Sequence, residues 1–170
     1  MKIFKHSENA EIPEFATEGS ACFDLRACLE EGNRITAYNP HNRTMELPVK
    51  RDSSGRVFTQ LQPSFRTLIP TGLIFDIPKG HVIKMFIRSS MALKFGINLA
   101  NSTAIIDSDY VDPAFVLVYN MSDTPINLYH GDRIAQAMLE KLHTYTLTER
   151  KTAPEQKTDR EGGMGSTGVS

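Results

Sequence analysis

The feature that most limits what this chain can fold into is the brevity of its apolar runs. β-Branched and aromatic residues come in short stretches, each cut off by Gly, Pro, Asn or Asp before a helical face can build up. That pattern predicts an all-β fold with turns at close intervals. Strands are expected at residues 2–6, 21–27, 66–71, 73–77, 81–87, 115–120, 126–128 and 134–141, with turns at 78–80 and 121–125. One short helix is expected at 89–95, where Met91, Ala92, Leu93 and Lys94 favour helix and Gly96 supplies the stop.

With 170 residues the chain suits one domain with a real core, placed at 1–150. Residues 31–62 break the rhythm. Gly32, Asn33, Asn39, Pro40, Asn42, Pro48 and Asp52-Ser53-Ser54-Gly55 punctuate a polar stretch that reads as an inserted hairpin or long excursion, turning near Ser53–Arg56 and available to a protein partner. Residues 151–170 lack a core-forming pattern and read as a flexible arm ending in a glycine-rich run. A net charge of −1 leaves no electrostatic footprint for nucleic acid or an anionic membrane, so an anionic ligand must be held by a few placed groups. No apolar run reaches membrane-helix length, and the first residues lack a signal-peptide core, which predicts a cytoplasmic protein. Cys22 and Cys28, the only two cysteines, read as reduced and structural.

Five places carry chemistry-bearing side chains. In Asp107-Ser108-Asp109-Tyr110 the two carboxylates would share one face of an extended chain, although Asp-Ser-Asp is also ordinary turn chemistry. Arg88-Ser89-Ser90 opens the expected helix. It reads either as a phosphate site of guanidinium and free N–H groups, or as a serine cap beside a surface charge. The run Gly162–Gly168 with Ser166 and Thr167 has the composition of a phosphate-cradling loop, and equally that of a low-complexity terminus; it is not a Walker P-loop. In His130-Gly131-Asp132-Arg133-Ile134-Ala135-Gln136 a turn feeds a strand, and Arg133 and Gln136 either line an anionic site or are solvated. Asp24 lies inside an apolar strand, which calls for an ionic partner or a nearby metal.

Taken in order, Ala21-Cys22-Phe23-Asp24-Leu25, Arg88-Ser89-Ser90, residues 101–110, Gly131-Asp132-Arg133-Ile134-Ala135-Gln136 and residues 162–168 resemble the five ordered motifs of the trimeric dUTPase family. The resemblance spans nearly the whole chain outside 31–62. It implies a jelly-roll-like β-barrel, a homotrimer with active sites shared between subunits, and hydrolysis of dUTP to dUMP and pyrophosphate with Mg²⁺ on the triphosphate. Asp107 matches the catalytic carboxylate that activates water at the α-phosphorus, a role suited to a carboxylate in reach of a water. Tyr110 matches the ring that stacks on the sugar and excludes a 2′-hydroxyl. Asn101, with backbone groups at Ala104, Ile105 and Ile106, matches the β-hairpin that reads uracil. Arg88, Ser89, Ser90 and Gln136 match groups that position phosphate or water. Asp24 matches a carboxylate that holds Mg²⁺ through water. Arg160, Met164, Gly165, Ser166 and Thr167 fall in the arm that closes over the nucleotide.

The chain departs from the family pattern at several points. Phe23 stands in place of Tyr, Ser90 in place of Gly, and Val111-Asp112-Pro113 in place of x-Gly-Glu. Arg160 lies one residue closer to its glycines, and Met164 replaces the aromatic lid. Two alternatives remain beside dUTP hydrolysis: a same-fold enzyme acting on dCTP, and a nucleotide-responsive binding protein. A deaminase needs a glutamate base near the pyrimidine, and none lies between Gly96 and Tyr110.

Overall fold

The computed structural model describes residues 1–159, and strands dominate them. In chain order these are β1 (Lys2–Lys5), β2 (Phe23–Arg26), β3 (Arg34–Tyr38), β4 (Thr44–Pro48), β5 (Lys50–Arg51), β6 (Val57–Leu61), β7 (Arg66–Pro70), β8 (Leu73–Asp76) and β9 (His81–Ile87). Then come α1 (Ser89–Phe95), β10 (Ile97–Leu99), β11 (Ala104–Ile106), β12 (Phe115–Asn120), β13 (Ile126–Tyr129) and β14 (Arg133–Lys141). The fold is therefore mostly β with one short helix, as the sequence predicts. Hydrogen bonding divides the strands among four antiparallel sheets, in the orders β10-β12-β7-β3-β4, β11-β9-β14-β2, β13-β6-β5 and β1-β8. Among the described residues these ladders do not join into one closed barrel.

One core lies between the sheets, and alternation builds it. Val116, Val118 and Asn120 of β12 face inward beside Thr67 and Ile69 of β7, while Ile83 and Met85 of β9 face inward beside Ala135 and Ala137 of β14. The buried amide of Asn120 donates to the carbonyls of Leu61 (3.1 Å) and Thr124 (2.9 Å) and accepts from the backbone N–H and the hydroxyl of Ser122. That set of bonds compensates the cost of burying a polar group and fixes the turn expected at 121–125. The helix ends at Gly96, whose φ of 62° places it in the left-handed region, with its N–H bonded back to Ala92.

The stretch at 31–62 holds the hairpin expected to turn near Ser53–Arg56, formed by β5 and β6, but is more ordered than a single insertion. It contributes four strands. β3 and β4 form a hairpin closed by the Asn39 carboxamide, which accepts from the N–H groups of His41 and Arg43, and β3 pairs with β7. The turn expected near Ser53–Arg56 is present, organised by the Asp52 carboxylate on the N–H groups of Ser54 and Arg56. The physical reason for the integration is apolar: Ile35, Ala37, Leu47, Val49 and Leu61 enter the common core. Their polar neighbours, which face solvent, hid this in the sequence. Beyond Lys141 the described chain has no strand or helix, and residues 142–159 are exposed.

Gly72 joins β7 to β8 with φ of 69°, and its carbonyl accepts from the N–H groups of His6 and Ser7. A Cβ there would lie 2.8 Å from both the Ala10 Cβ and the Cys28 Sγ. Gly72→Ala is expected to destabilise the fold by about 2–4 kcal/mol, combining left-handed strain with overpacking. A lower urea midpoint at unchanged slope is the expected readout.

Candidate active site

The four strands of one sheet, in the order β11-β9-β14-β2, deliver most of the candidate residues. β9 pairs with β11 on one side (Met85 opposite Ala104, Ile83 opposite Ile106) and with β14 on the other. At the ends of these strands the chain forms two recesses.

The first is an open cavity of about 440 Å³ lined by Asn101, Ala104, Ile105, Ile106, Asp107 and Tyr110, with Leu68, Met85, Ala114, Phe115 and Leu117 as its apolar wall. β11 ends at Ile106, short of the extent that the face argument for Asp107 and Asp109 requires. The Tyr110 N–H then bonds the Asp107 carbonyl at 3.1 Å, closing a turn over 107–110. Asp107 and Asp109 therefore share no strand face; Asp107 stands at the mouth of the cavity and Asp109 on the turn. The stretch is a turn, and the same turn lines the cavity. The Asp107 carboxylate is exposed and, among the described residues, makes no ion pair or hydrogen bond. Tyr110 closes the rim.

Asn101 differs from the expected β-hairpin. β10 and β11 do not pair with each other: β10 joins β12 and β11 joins β9. The connection at 100–103 carries the chain from one sheet to the other, tightened by the Thr103 N–H on the Asn101 carbonyl (2.7 Å).

The second recess, about 300 Å³, is lined by Asp24, Arg88, Ser89, Arg133 and Gln136, together with Cys22 and neighbouring small residues. Register brings these together. Gln136 of β14 lies opposite Asp24 of β2 and opposite Phe86 of β9, and its amide donates to the Ile87 carbonyl at 3.3 Å. A β-bulge between Arg133 and Ala135 turns Arg133 back toward Asp24. The Asp24 carboxylate then bridges two guanidinium groups, with Arg88 Nε at 2.8 Å and Arg133 Nη1 at 3.1 Å. Arg88 is also the N-terminal boundary residue of α1, and no side chain caps the helix, so neither Ser89 nor Ser90 plays the capping role. Ser90 lies in α1, half-buried, outside the lining of both recesses. Arg160, Met164, Gly165, Ser166 and Thr167 lie outside the described residues.

Residues 52–168 match the family model described as dUTPase. The chain belongs to the dUTPase family. The deoxyuridine 5′-triphosphate nucleotidohydrolase of Brucella melitensis is 34% identical over 97% of this chain and 89% of its own length. The enzyme of the same description from Finegoldia magna is 36% identical over 99% of this chain and 98% of its own. Among solved structures, a dUTPase from Streptococcus mutans has a TM-score of 0.62 at 25% identity, covering 82% of this chain and 91% of that one. A mutant of the Staphylococcus bacteriophage 80alpha dUTPase with dUpNHpp has a TM-score of 0.70 at 18% identity, covering 99% of this chain and 98% of that one, a likeness of fold. This dUTPase-family chain is thus similar to nucleotide hydrolases over nearly its whole length, the 31–62 stretch included.

Sequence reasoning missed the apolar wall of the first recess. Its signal was present in Phe115-Val116-Leu117-Val118, apolar on both faces, where a strand with one solvated face would alternate. Cys22, which the sequence offers only as a reduced structural cysteine, lines the second recess. Burial first, and the Asp24 carboxylate second, push the Cys22 thiol above its ordinary range. Only the thiolate alkylates, so a raised value keeps this thiol protonated and slow at neutral pH. Iodoacetamide labelling of Cys22 is expected to accelerate as pH rises above the ordinary thiol range. Asp24→Asn is expected to speed it only modestly, because burial, the larger cause, remains.

Proposed function

We propose that this chain hydrolyses dUTP to dUMP and pyrophosphate. The observation that carries the reading is the Asp107 carboxylate, unpaired among the described residues, at the mouth of an apolar recess whose rim is Tyr110. A carboxylate there accepts a proton from a water; the water oxygen forms the new bond to the α-phosphorus, and the bond to the bridging oxygen breaks as pyrophosphate leaves. Asn101 and the backbone at Ala104, Ile105 and Ile106 read uracil against the apolar wall, and Tyr110 lies against the sugar, where a 2′-hydroxyl has no room. Arg88, Ser89 and Gln136 hold phosphate oxygens and water, the guanidinium by charge-assisted bonds, while Ser90, outside the recess, supports them from the first turn of α1. Arg160, Met164, Gly165, Ser166 and Thr167 are assigned to closing over the nucleotide.

The donor set suits a substrate-borne Mg²⁺. Among the described residues no cluster of three or more His, Cys, Asp or Glu side chains is placed to hold a metal, while Asp24 stands among phosphate-binding groups. A single carboxylate beside phosphates is what a reluctantly dehydrated ion uses, and when bound the ion neutralises phosphate charge. Asp24 would hold it through water. We further propose a jelly-roll-like homotrimer. Within one chain the nucleoside recess and the Arg88 recess are separate, so a site shared between subunits joins one chain's Asp107 to another's Arg88. The chain sits among cytoplasmic nucleotide pools in this reading, and no helix of the described residues is long and apolar enough to cross a membrane.

Asp107→Asn is expected to lower pyrophosphate release from dUTP by about 10²–10⁴-fold while calorimetric dUTP binding persists. Equal turnover by that variant would remove Asp107 as the base. A side-by-side panel of dUTP, dCTP, dTTP and UTP tests the base and sugar assignments, with a preference for dCTP overturning the first. Chelation with EDTA is expected to suppress turnover and added Mg²⁺ to restore it. Sharing of sites has its own measurement: two inactive variants, Asp107→Asn and Arg88→Ala, are expected to regain part of the activity once mixed and reassembled. No regain would place both groups in a site built by one chain.

A further inference from the structure

Tyr110 is tied at both ends. Its N–H closes the turn onto Asp107, and its hydroxyl donates to the Pro113 carbonyl at 3.1 Å. The acceptor is not an ordinary loop carbonyl. The Pro113 C=O and the Ala114 N–H belong to one peptide unit, which is planar, so the two groups move together. On its other side that unit is bolted to the core, because the Ala114 N–H donates to the Leu73 carbonyl at 2.8 Å. Ala114 is 1% exposed, and its own carbonyl accepts from both the N–H and the hydroxyl of Thr71. Proline fixes φ at Pro113 and restricts Asp112 to extended backbone, which limits how the loop can lead into this anchored peptide unit. The loop between, at Val111 and Asp112, is exposed and supplies no comparable support.

We propose that Pro113 is a positioning residue for sugar selection: the Pro113–Ala114 peptide transmits the rigidity of the core to the Tyr110 ring and thereby fixes the gap that admits a 2′-deoxyribose. This rests on the dUTP reading above and adds to it the group that holds the discriminating ring in place. Without the hydroxyl bond the ring keeps its shape but is free to tilt away from the recess, and a 2′-hydroxyl then meets less resistance. The loop's departure from the family pattern is on this account the device that holds the ring.

The test compares kcat/KM for dUTP and for UTP in the wild type, Tyr110→Phe, Pro113→Gly and the double variant. The dUTP-over-UTP ratio is expected to fall roughly three- to tenfold in each single variant, the scale of one hydrogen bond's net contribution. The double variant is expected to fall no further, because both changes act through the same tie, one by removing its donor and the other by loosening its acceptor. A ratio unchanged in Tyr110→Phe, which keeps the ring and the fold, overturns the proposal. So does an equal loss on both nucleotides, the signature of a merely structural loop, or a wild type that does not discriminate. No dUTP turnover by the wild type would instead remove the functional reading, and the tie's role with it.

Discussion

The β9–β14 ladder is the constraint from which the rest of the candidate site follows. It runs in unbroken register from Ala135 opposite Ile87 to Lys141 opposite His81, and Ile83, Met85, Ala135 and Ala137 bury its inner face almost completely. β9 carries a candidate group on each flank: Arg88 follows its last residue, and β11, paired to its outer edge, delivers Asp107. β14 carries Gln136 and, through its bulge, Arg133. Because side chains alternate with period two, a one-residue slip of this ladder would exchange the core and solvent faces of both strands. The apolar inner face therefore selects the register, and the register selects which polar groups meet. Site geometry is here a consequence of core packing.

Electrostatics of the second recess follow from that register. One carboxylate, Asp24, faces two guanidinium groups, so the cluster keeps one positive charge in excess on a chain whose net charge is −1. The pairing solves the problem of a carboxylate within an apolar strand, which is costly unless ionic partners reach it. It also orients Arg88 before any ligand arrives, and pre-orientation lowers the entropy lost when a long side chain is fixed on an anion. An anionic ligand need not create this site, since the guanidinium is already aimed into the recess. The absence of a side-chain cap on α1 leaves its first N–H groups unclaimed by the very serines that the sequence offered as caps.

How much of this was legible in the sequence depended on where the determining contacts are local. β9, β12 and α1 appear at their expected bounds, because each is a strongly patterned run with its own stop signal. β10, three residues long, carries too little pattern to read, whereas the Ala104–Ile106 run is legible as extended chain but not its length; both strands are held by their neighbours β12 and β9. The integration of 31–62 escaped for a similar reason: Ile35, Ala37, Leu47 and Val49 look sparse along the chain, and only pairing of β3 with β7 gathers them. The bulge at Arg133 left a trace in two consecutive buried residues, Ile134 and Ala135, but nothing in the sequence says which strand they interrupt. For the site, residue types and their order were readable, whereas the division into two recesses was not, since no one-dimensional pattern encodes which sheet a short strand joins.

The departures from the family pattern become intelligible when backbone and side-chain roles are separated. Ser90 lies in the first turn of a helix whose N–H groups lack any side-chain cap; a serine changes the side chain at that place and leaves the N–H groups where they are. At Val111-Asp112-Pro113 the pair Val111 and Asp112 is exposed, while the group that Tyr110 meets is the backbone carbonyl of residue 113, present whatever side chain stands there. Proline differs from other residues there in stiffness, because its ring fixes φ and removes freedom from the loop that leads into the anchored peptide unit. Substitutions at such points alter how firmly a backbone group is held more than whether it is present. The same logic does not extend to Asp107, Arg88 or Asp24, whose charges no backbone group replaces, and at these positions the chain keeps the residue types that the family's motifs carry.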